Sequence, residues 1–173
     1  MFAIAGKDGK ISVVRIGTTI TILGVLVVLV SLVTFFVDQA ARTRPLDVEP
    51  PSGATSLGTN ILTSTSQRRY FSIPQSEMSV EQVASYYTDR IINFGNAEDS
   101  QPCLRFPTEG TYAGWEPGTG RVPYQFVCVF DNSGFNTIQF TEVRVQPGIF
   151  DEDPERNTEG LVMIQYEQQW SQP

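Results

Sequence analysis

The chain has 173 residues, a formal net charge of −7, two cysteines and no histidine. The acidic balance argues against a nucleic-acid partner, because phosphate binding needs a basic surface. The absence of imidazole argues against a neutral-pH general base, a zinc site and a haem, so we expect no cofactor.

The first predicted element is a transmembrane helix over 16–37, a run of uncharged and mostly apolar residues. A helix of this length spans about 33 Å, enough to cross a hydrocarbon core of about 30 Å. A cleaved secretory signal has a shorter apolar core followed by a small-residue cleavage site. We therefore predict an uncleaved anchor in the lipid bilayer, preceded by a tail at 1–15.

Charges on either side of the predicted helix indicate its orientation. Lys7, Lys10 and Arg15 precede the helix, whereas Arg42 and Arg44 follow it closely. The remaining sequence agrees, since nine arginines and eighteen acidic residues from residue 38 onward give a net charge of −9, against +2 for residues 1–15. Positive residues remain in the cytoplasm, so we expect a cytoplasmic N terminus and an extracytoplasmic C-terminal part. An acidic outer domain could attract a basic partner such as a soluble electron carrier, although such a charge also simply keeps a domain soluble.

A stripe of mostly small residues runs along the predicted helix at alternating four- and three-residue steps. The stripe consists of Gly17, Thr21, Gly24, Val28 and Ser31. Small residues let a second helix approach closely, so the stripe predicts packing against other integral membrane subunits. The alternative is that Gly and Thr are common in membrane helices and have no partner here.

Residues 38–67 are rich in Pro, Ser, Thr and Gly and predict a linker without a core of its own. One extracytoplasmic domain is therefore expected at 68–173, beginning with a strand at 68–74. An amphipathic helix is predicted over 79–95, where Ser79 and Gln82 have capping-box spacing and Gly95 is expected at the C-terminal end. Its apolar face recurs with the 3.6-residue period at Val80, Val83, Ala84, Tyr87, Ile91 and Phe94.

Alternating apolar residues predict an antiparallel hairpin of strands at 122–131 and 135–147. The apolar parity changes within the second strand, which predicts a β-bulge near Thr141 and Glu142. A last strand at 160–170 is apolar on both faces and is expected to lie centrally. With weaker strands at 103–107 and 111–117, the fold class is α+β, with one helix on an antiparallel sheet of about four to five strands.

Cys103 and Cys128 both lie in the part expected outside the cytoplasm. In an oxidising compartment the default is a disulfide between them, and the alternative is a pair of buried free thiols.

Candidates for chemistry are few. The acidic loop at 151–159 alternates oxygen-bearing residues, but Arg156 and Val162 stand where an EF-hand needs Gly and Glu, so no metal site is predicted. Glu109, Glu116 and Glu142 could act as a glycosidase pair, yet no spacing singles out two of them. Seven aromatic residues could line a groove, although such residues are more often core: Tyr70, Phe71, Tyr86, Tyr87, Trp115, Tyr124 and Trp170. No catalytic residue is predicted, and we expect a protein that is not an enzyme.

Three stretches, FSIPQSEMSVEQVASYYTDRIINFG, CVFDN and TEGLVMIQYEQQW, resemble small single-pass proteins of filamentous anoxygenic phototrophic bacteria. These are similar to accessory subunits of membrane electron-transfer assemblies, notably alternative complex III, a quinol oxidoreductase. The resemblance covers roughly residues 68 to 170 and the anchor. It implies a non-catalytic accessory subunit in the bacterial inner membrane, with a periplasmic domain that caps the extracytoplasmic face of the complex, and it assigns no functional residue. The alternative is a free-standing membrane-anchored binding or sensing module.

Overall fold

The computed structural model describes residues 13–93, 102–134 and 137–172. The chain divides into two compact units, one ending at Ala41 and one beginning at Arg42, which is called the domain below. The elements of the whole chain, in order, are α1 Val13–Ala41, β1 Thr55–Thr63, β2 Ser66–Pro74, α2 Val80–Ile92, β3 Leu104–Phe106, β4 Gln125–Asp131, β5 Gln139–Pro147 and β6 Leu161–Trp170.

The helix α1 extends beyond the predicted span of 16–37 at both ends. Its segment Ile16–Ala41 is long and apolar enough to cross a membrane by length and composition. Its large apolar side chains are exposed on all sides of the helix. A helix that is apolar all round lacks the polar face of a helix on the surface of a soluble domain.

The domain contains a six-stranded antiparallel sheet in the order β1-β2-β6-β5-β4-β3. The central position of the last strand is thus confirmed. The expectation of four to five strands is wrong, because the sheet has six strands and β1 was not predicted. The predicted bulge at Thr141 and Glu142 is also wrong, since β5 pairs without a register shift on both sides. The weak strand candidate at 111–117 is a loop with a turn from Tyr112 to Trp115.

The change of apolar parity along β5 arises from polar residues that face the core. Gln139 and Thr141 are buried on the same face as Val143 and Val145, and the apolar Ile138 is exposed. The strand is therefore regular, and its first inward positions are occupied by an amide and a hydroxyl. Such buried polar groups need hydrogen-bond partners, and they find them in the segment that leads into the domain.

This segment, residues 42–54, lies in the range predicted as a linker at 38–67, and the linker prediction is wrong for it. Val48 is buried in the core, and Leu46 packs against the same cluster. Thr141 Oγ1 donates to the Leu46 carbonyl at 2.7 Å, Gln168 Nε2 donates to it at 2.5 Å, and Gln139 Nε2 donates to the Arg44 carbonyl at 2.9 Å. We call residues 42–54 the entry segment. The sheet holds it as a second covering element beside α2.

The helix α2 begins where the capping box predicts. Gln82 N donates to Ser79 Oγ at 3.3 Å, and Ser79 N donates to Gln82 Oε1 at 2.8 Å. Five of the six predicted apolar positions are buried, and the sixth, Phe94, lies outside the described residues, as does Gly95. The described C-cap is Asn93 in a right-handed conformation. The helix packs its apolar face on β4 and β5.

Two tyrosines meet in the core between α2 and β6. The Tyr87 and Tyr166 hydroxyls are 2.5 Å apart, and both side chains are fully buried. Burial raises the pKa of both phenols well above the ordinary value. In both cases the charged form is disfavoured because it would be removed from water.

This burial predicts a loss of stability at alkaline pH. Below the unfolded-state pKa of about 10, the folded and the unfolded chain both keep the phenolic protons, so the buried tyrosines contribute their full stabilisation to the folded state. Above it, the unfolded chain releases protons that the folded chain retains, so the free energy of unfolding falls as pH rises. We expect urea titrations of the full chain in detergent to show a steeper fall toward about pH 11 than the Tyr87→Phe/Tyr166→Phe double variant shows. An identical slope in both proteins would contradict this assignment.

Candidate functional site

The small-residue stripe lies on α1 as predicted from the spacing. Thr21 Oγ1 donates to the Gly17 carbonyl at 2.9 Å, and Ser31 Oγ donates to the Val27 carbonyl at 2.8 Å. These hydroxyls are therefore satisfied within the helix. A Cβ added at Gly17 or Gly24 would meet nothing within 4 Å apart from the adjacent residues and the nearby backbone of α1 itself. The stripe could therefore pack closely against a second helix through its small side chains. Its Thr21 and Ser31 hydroxyl protons are already donated within α1.

The sheet has a covered face and an open face. The buried residues of β4, β5 and β6 lie on the face packed by α2 and the entry segment, while the alternate residues of these strands are half-buried or exposed. On the open face Arg68 pairs with Glu167 at 3.1 Å and Arg144 with Glu142 at 2.5 Å. An apolar group lies along β3 and β4 on this face: Leu104, Phe106, Val127 and Val129. The open face therefore combines neutralised charges with exposed apolar surface.

The strand connections at one end of the sheet are strongly acidic. They are residues 75–79, 107–124 and 148–160, and we call them together the acidic end. They contain eight carboxylates and two arginines, a net charge of −6. Gln75 N donates to the Gly160 carbonyl at 2.8 Å, which ties the first connection to the third. A shallow pocket of about 580 Å³ lies between the second and third, lined by Gly118, Thr119, Gly120, Phe150–Asp153 and Arg156.

The alternating acidic pattern of the 151–159 loop has a structural cause. Asp151 Oδ1 accepts from Asp153 N at 2.9 Å, and Asp153 Oδ1 accepts from Glu155 N at 3.0 Å. Asn157 Oδ1 accepts from Glu159 N at 3.0 Å in the same way. Each of these side chains caps the backbone two residues on, which is the usual role of Asp and Asn in turns. In addition, Arg156 pairs with both aspartates. No group that could hold a metal ion occurs among the described residues.

The other predicted chemical candidates are dispersed. Glu142 lies on the open face in its ion pair, whereas Glu109 and Glu116 lie in the connection between β3 and β4. Phe71 and Tyr87 belong to the core, and Tyr86 and Tyr124 pack against it. Trp115 lies in a cleft of about 350 Å³ with Tyr112, Ala113, Arg121 and Val122, and donates from Nε1 to the Arg121 carbonyl at 2.8 Å. The sequence predicts Trp115 in a groove or in the core, but it does not predict Tyr112 in the same cleft, because turns rather than a helix or strand period bring these residues together.

The opposite end of the sheet is where the chain enters the domain, and we call it the Arg42 end. It contains the turn at 63–66, the described residues of 131–139, and residues 170–172. Ser171 N donates to the Arg42 carbonyl at 3.3 Å, and the Arg42 guanidinium donates to the Asn132 carbonyl. Trp170 N donates to the Thr65 carbonyl at 3.0 Å, which joins the turn to the end of β6. Arg42 therefore lies at the same end as these three connections.

The predicted disulfide is confirmed, with the Cys103 and Cys128 sulfurs bonded at 2.02 Å. Cys128 is fully buried on β4, and Cys103 is partly buried just before β3. Cys103 N also donates to Thr88 Oγ1 of α2 at 3.3 Å. The bridge therefore lies beneath α2 and secures the short strand β3.

The hydrogen bonds that hold the entry segment can be tested at Gln168. Its side chain donates to the Leu46 carbonyl and accepts from Gln67 Nε2 at 2.8 Å. We expect Gln168→Leu to cost about 1–3 kcal/mol, because buried partners lose their hydrogen bonds. Hydrogen exchange measured by mass spectrometry should speed up in the entry segment. Gln165→Leu, on the open face of the same strand, should change stability by less than about 0.5 kcal/mol. Equal exchange in the two variants would contradict the assignment.

No protein-family model, no curated protein and no solved structure matches this chain.

Proposed function

We propose that the protein is a non-catalytic accessory subunit of a bacterial membrane protein complex, held in the bilayer by α1. The observation that carries this proposal is α1 itself. Its 26-residue span Ile16–Ala41 is apolar, and its large side chains are exposed. Such a surface is stable only against lipid or against other apolar helices.

We place the N terminus in the cytoplasm and the domain in the periplasm, as a single-pass protein of the inner membrane. The three positive residues before α1, Lys7, Lys10 and Arg15, against Arg42 and Arg44 just after it, support this orientation. The disulfide supports an oxidising compartment for the domain.

The complex that we propose is an electron-transport assembly similar to alternative complex III. This part of the proposal rests on the resemblance of the strand, helix and hairpin segments described above. The open face, with its charges paired within the sheet, offers a surface with which the domain could cap the extracytoplasmic side of larger subunits. The acidic end, with its net charge of −6, would attract a basic soluble electron carrier.

The docking role of the stripe is tested by Gly24→Leu. Since a Cβ at this position meets nothing beyond the nearby backbone of α1 itself, the substitution should leave the domain folded and block only an external helix. We expect the variant to be lost from the complex when membranes are solubilised in mild detergent and the assembly is purified through a tag on this chain. Val33→Phe, on the opposite side of α1, adds volume away from the stripe and should keep its partners. Retention of Gly24→Leu at full stoichiometry would refute the docking face.

A second function, a free-standing membrane-anchored binding or sensing module, is favoured by the cleft at Trp115. Small-ligand sites are concave and mostly apolar with a few polar groups, and this cleft offers two aromatic rings and a guanidinium. The two functions differ in assembly state. A lone subunit would run on a native gel at 19.2 kDa plus its detergent micelle, whereas an accessory subunit would run with a larger complex.

A further inference from the structure

The two ends of the domain differ in charge. The acidic end has a net charge of −6, whereas Asp131 is the one acidic residue among the described connections of the Arg42 end. Glu98 and Asp99, in the connection that follows α2, lie outside the described residues. The Asp131 carboxylate is used within the turn, where Oδ1 accepts from Ser133 N at 2.8 Å. The entry segment adds Arg42 and Arg44 to the same end, through the contacts of Arg42 with Ser171 and Asn132. Among the described residues, negative charge is therefore concentrated at the acidic end of the strands.

The chemistry of the Arg42 end differs as well. The turn at 63–66 contains only hydroxyl side chains. Arg44 is exposed and makes no ion pair with a described residue. Ile138 is 55% exposed, and Trp170 is partly exposed at the end of β6. Hydroxyl groups, an exposed guanidinium, an apolar side chain and an indole together match the interfacial layer of a membrane, where aromatic and cationic residues collect.

Covalent connection places this end next to the anchor in the sequence. Arg42 directly follows the last residue of α1, Ala41. The Arg44 and Leu46 carbonyls already accept hydrogen bonds from the sheet. The domain therefore begins directly after α1 in the sequence, and its first segment is hydrogen-bonded to the sheet.

We propose that the Arg42 end is a lipid-contact surface that lies against anionic phospholipid headgroups, with the acidic end directed away from the bilayer. This inference rests on the proposed membrane anchoring. A basic group near an anionic membrane surface is attracted to it, and a cluster of carboxylates is repelled. The charge polarity of the domain and its attachment point therefore favour the same orientation.

The two tryptophans of the chain are natural probes, since Trp170 lies at the Arg42 end and Trp115 at the acidic end. The full-length Trp115→Phe and Trp170→Phe variants each keep one fluorophore. Both are reconstituted into vesicles of phosphatidylcholine and phosphatidylglycerol that carry a nitroxide on the headgroup in both leaflets. We expect a loss of Trp170 emission that grows with the nitroxide fraction, and little loss of Trp115 emission. Aqueous acrylamide, an uncharged quencher, should quench Trp115 more strongly than Trp170.

Vesicle flotation after alkaline carbonate extraction separates this inference from the anchoring on which it rests. Protein that does not float overturns the anchoring. Protein that floats with Trp170 unquenched, or with both tryptophans quenched equally, leaves the anchoring intact and overturns the lipid-contact surface.

A matched pair of charge reversals tests the role of Arg44. In the Trp115→Phe background, Arg44→Glu should reduce the headgroup quenching of Trp170 in anionic vesicles. Arg121→Glu, which changes an exposed arginine at the acidic end by the same charge, should leave it unchanged. Equal effects of the two reversals would overturn the assignment of Arg44.

Discussion

Reduction of the disulfide is expected to lower the free energy of unfolding of the domain by about 3–4 kcal/mol, because the bridge closes a loop with a sequence separation of 25. The loss of stability should be largest at β3, the strand that the bridge secures. The strand β3 pairs with β4 at only three positions, so its hydrogen bonds alone hold it weakly. Amide exchange in β3 should therefore accelerate more than exchange in β6, which is paired on both sides.

This expectation is measured by urea titration of the full chain in detergent, with and without dithiothreitol, followed by near-ultraviolet circular dichroism. The double variant Cys103→Ala/Cys128→Ala serves as the control. It should be less stable than the oxidised protein and indifferent to the reductant. A reductant effect of the same size on the double variant would show that the stability loss does not come from this bridge.

The substitution Gly148→Ala is expected to destabilise the domain by about 3 kcal/mol, since it overpacks a closed site. A Cβ at Gly148 would lie 1.7 Å from the Thr158 carbonyl oxygen and 3.0 Å from that of Leu161. Both obstacles are backbone atoms, so no side-chain rotation can relieve the overlap. The loop must then shift at its base, where Gly148 N donates to the Leu161 carbonyl at 2.7 Å.

Gly160→Ala, in the same loop, is the matched comparison for this prediction. Gly160 has a φ of +78° and nothing within 4 Å of an added Cβ, so only backbone strain of about 1 kcal/mol is expected. Thermal unfolding of the two variants side by side measures the difference. A Gly148→Ala protein as stable as Gly160→Ala would mean that the base of the loop relaxes at little cost.

Local patterns predicted those elements whose signals lie within one segment. The capping box at Ser79 and Gln82 specifies where α2 begins, because its two hydrogen bonds join residues three positions apart. The central place of β6 followed from apolar residues on both of its faces, and the cysteine pairing followed from having only two cysteines. The aromatic cleft at Trp115 had no such signal, since turns bring its residues together.

The sequence by itself determined the apolar helix α1 and the amphipathic helix α2, because each depends on composition or period within one segment. It also restricted a disulfide to one pair of cysteines, while the structure decided between the bridge and two free thiols. The tertiary structure decided that residues 42–67, which composition alone assigned to a linker, belong to the folded domain as the entry segment and β1. Leu46 and Val48 pack on the core because Thr141 and Gln168, about a hundred positions away, supply the donors that satisfy this backbone. From the sequence alone, a polar residue at a core-facing strand position cannot be assigned to the core. Its burial is tolerated only when it makes a hydrogen bond, and the partner is known only from the structure.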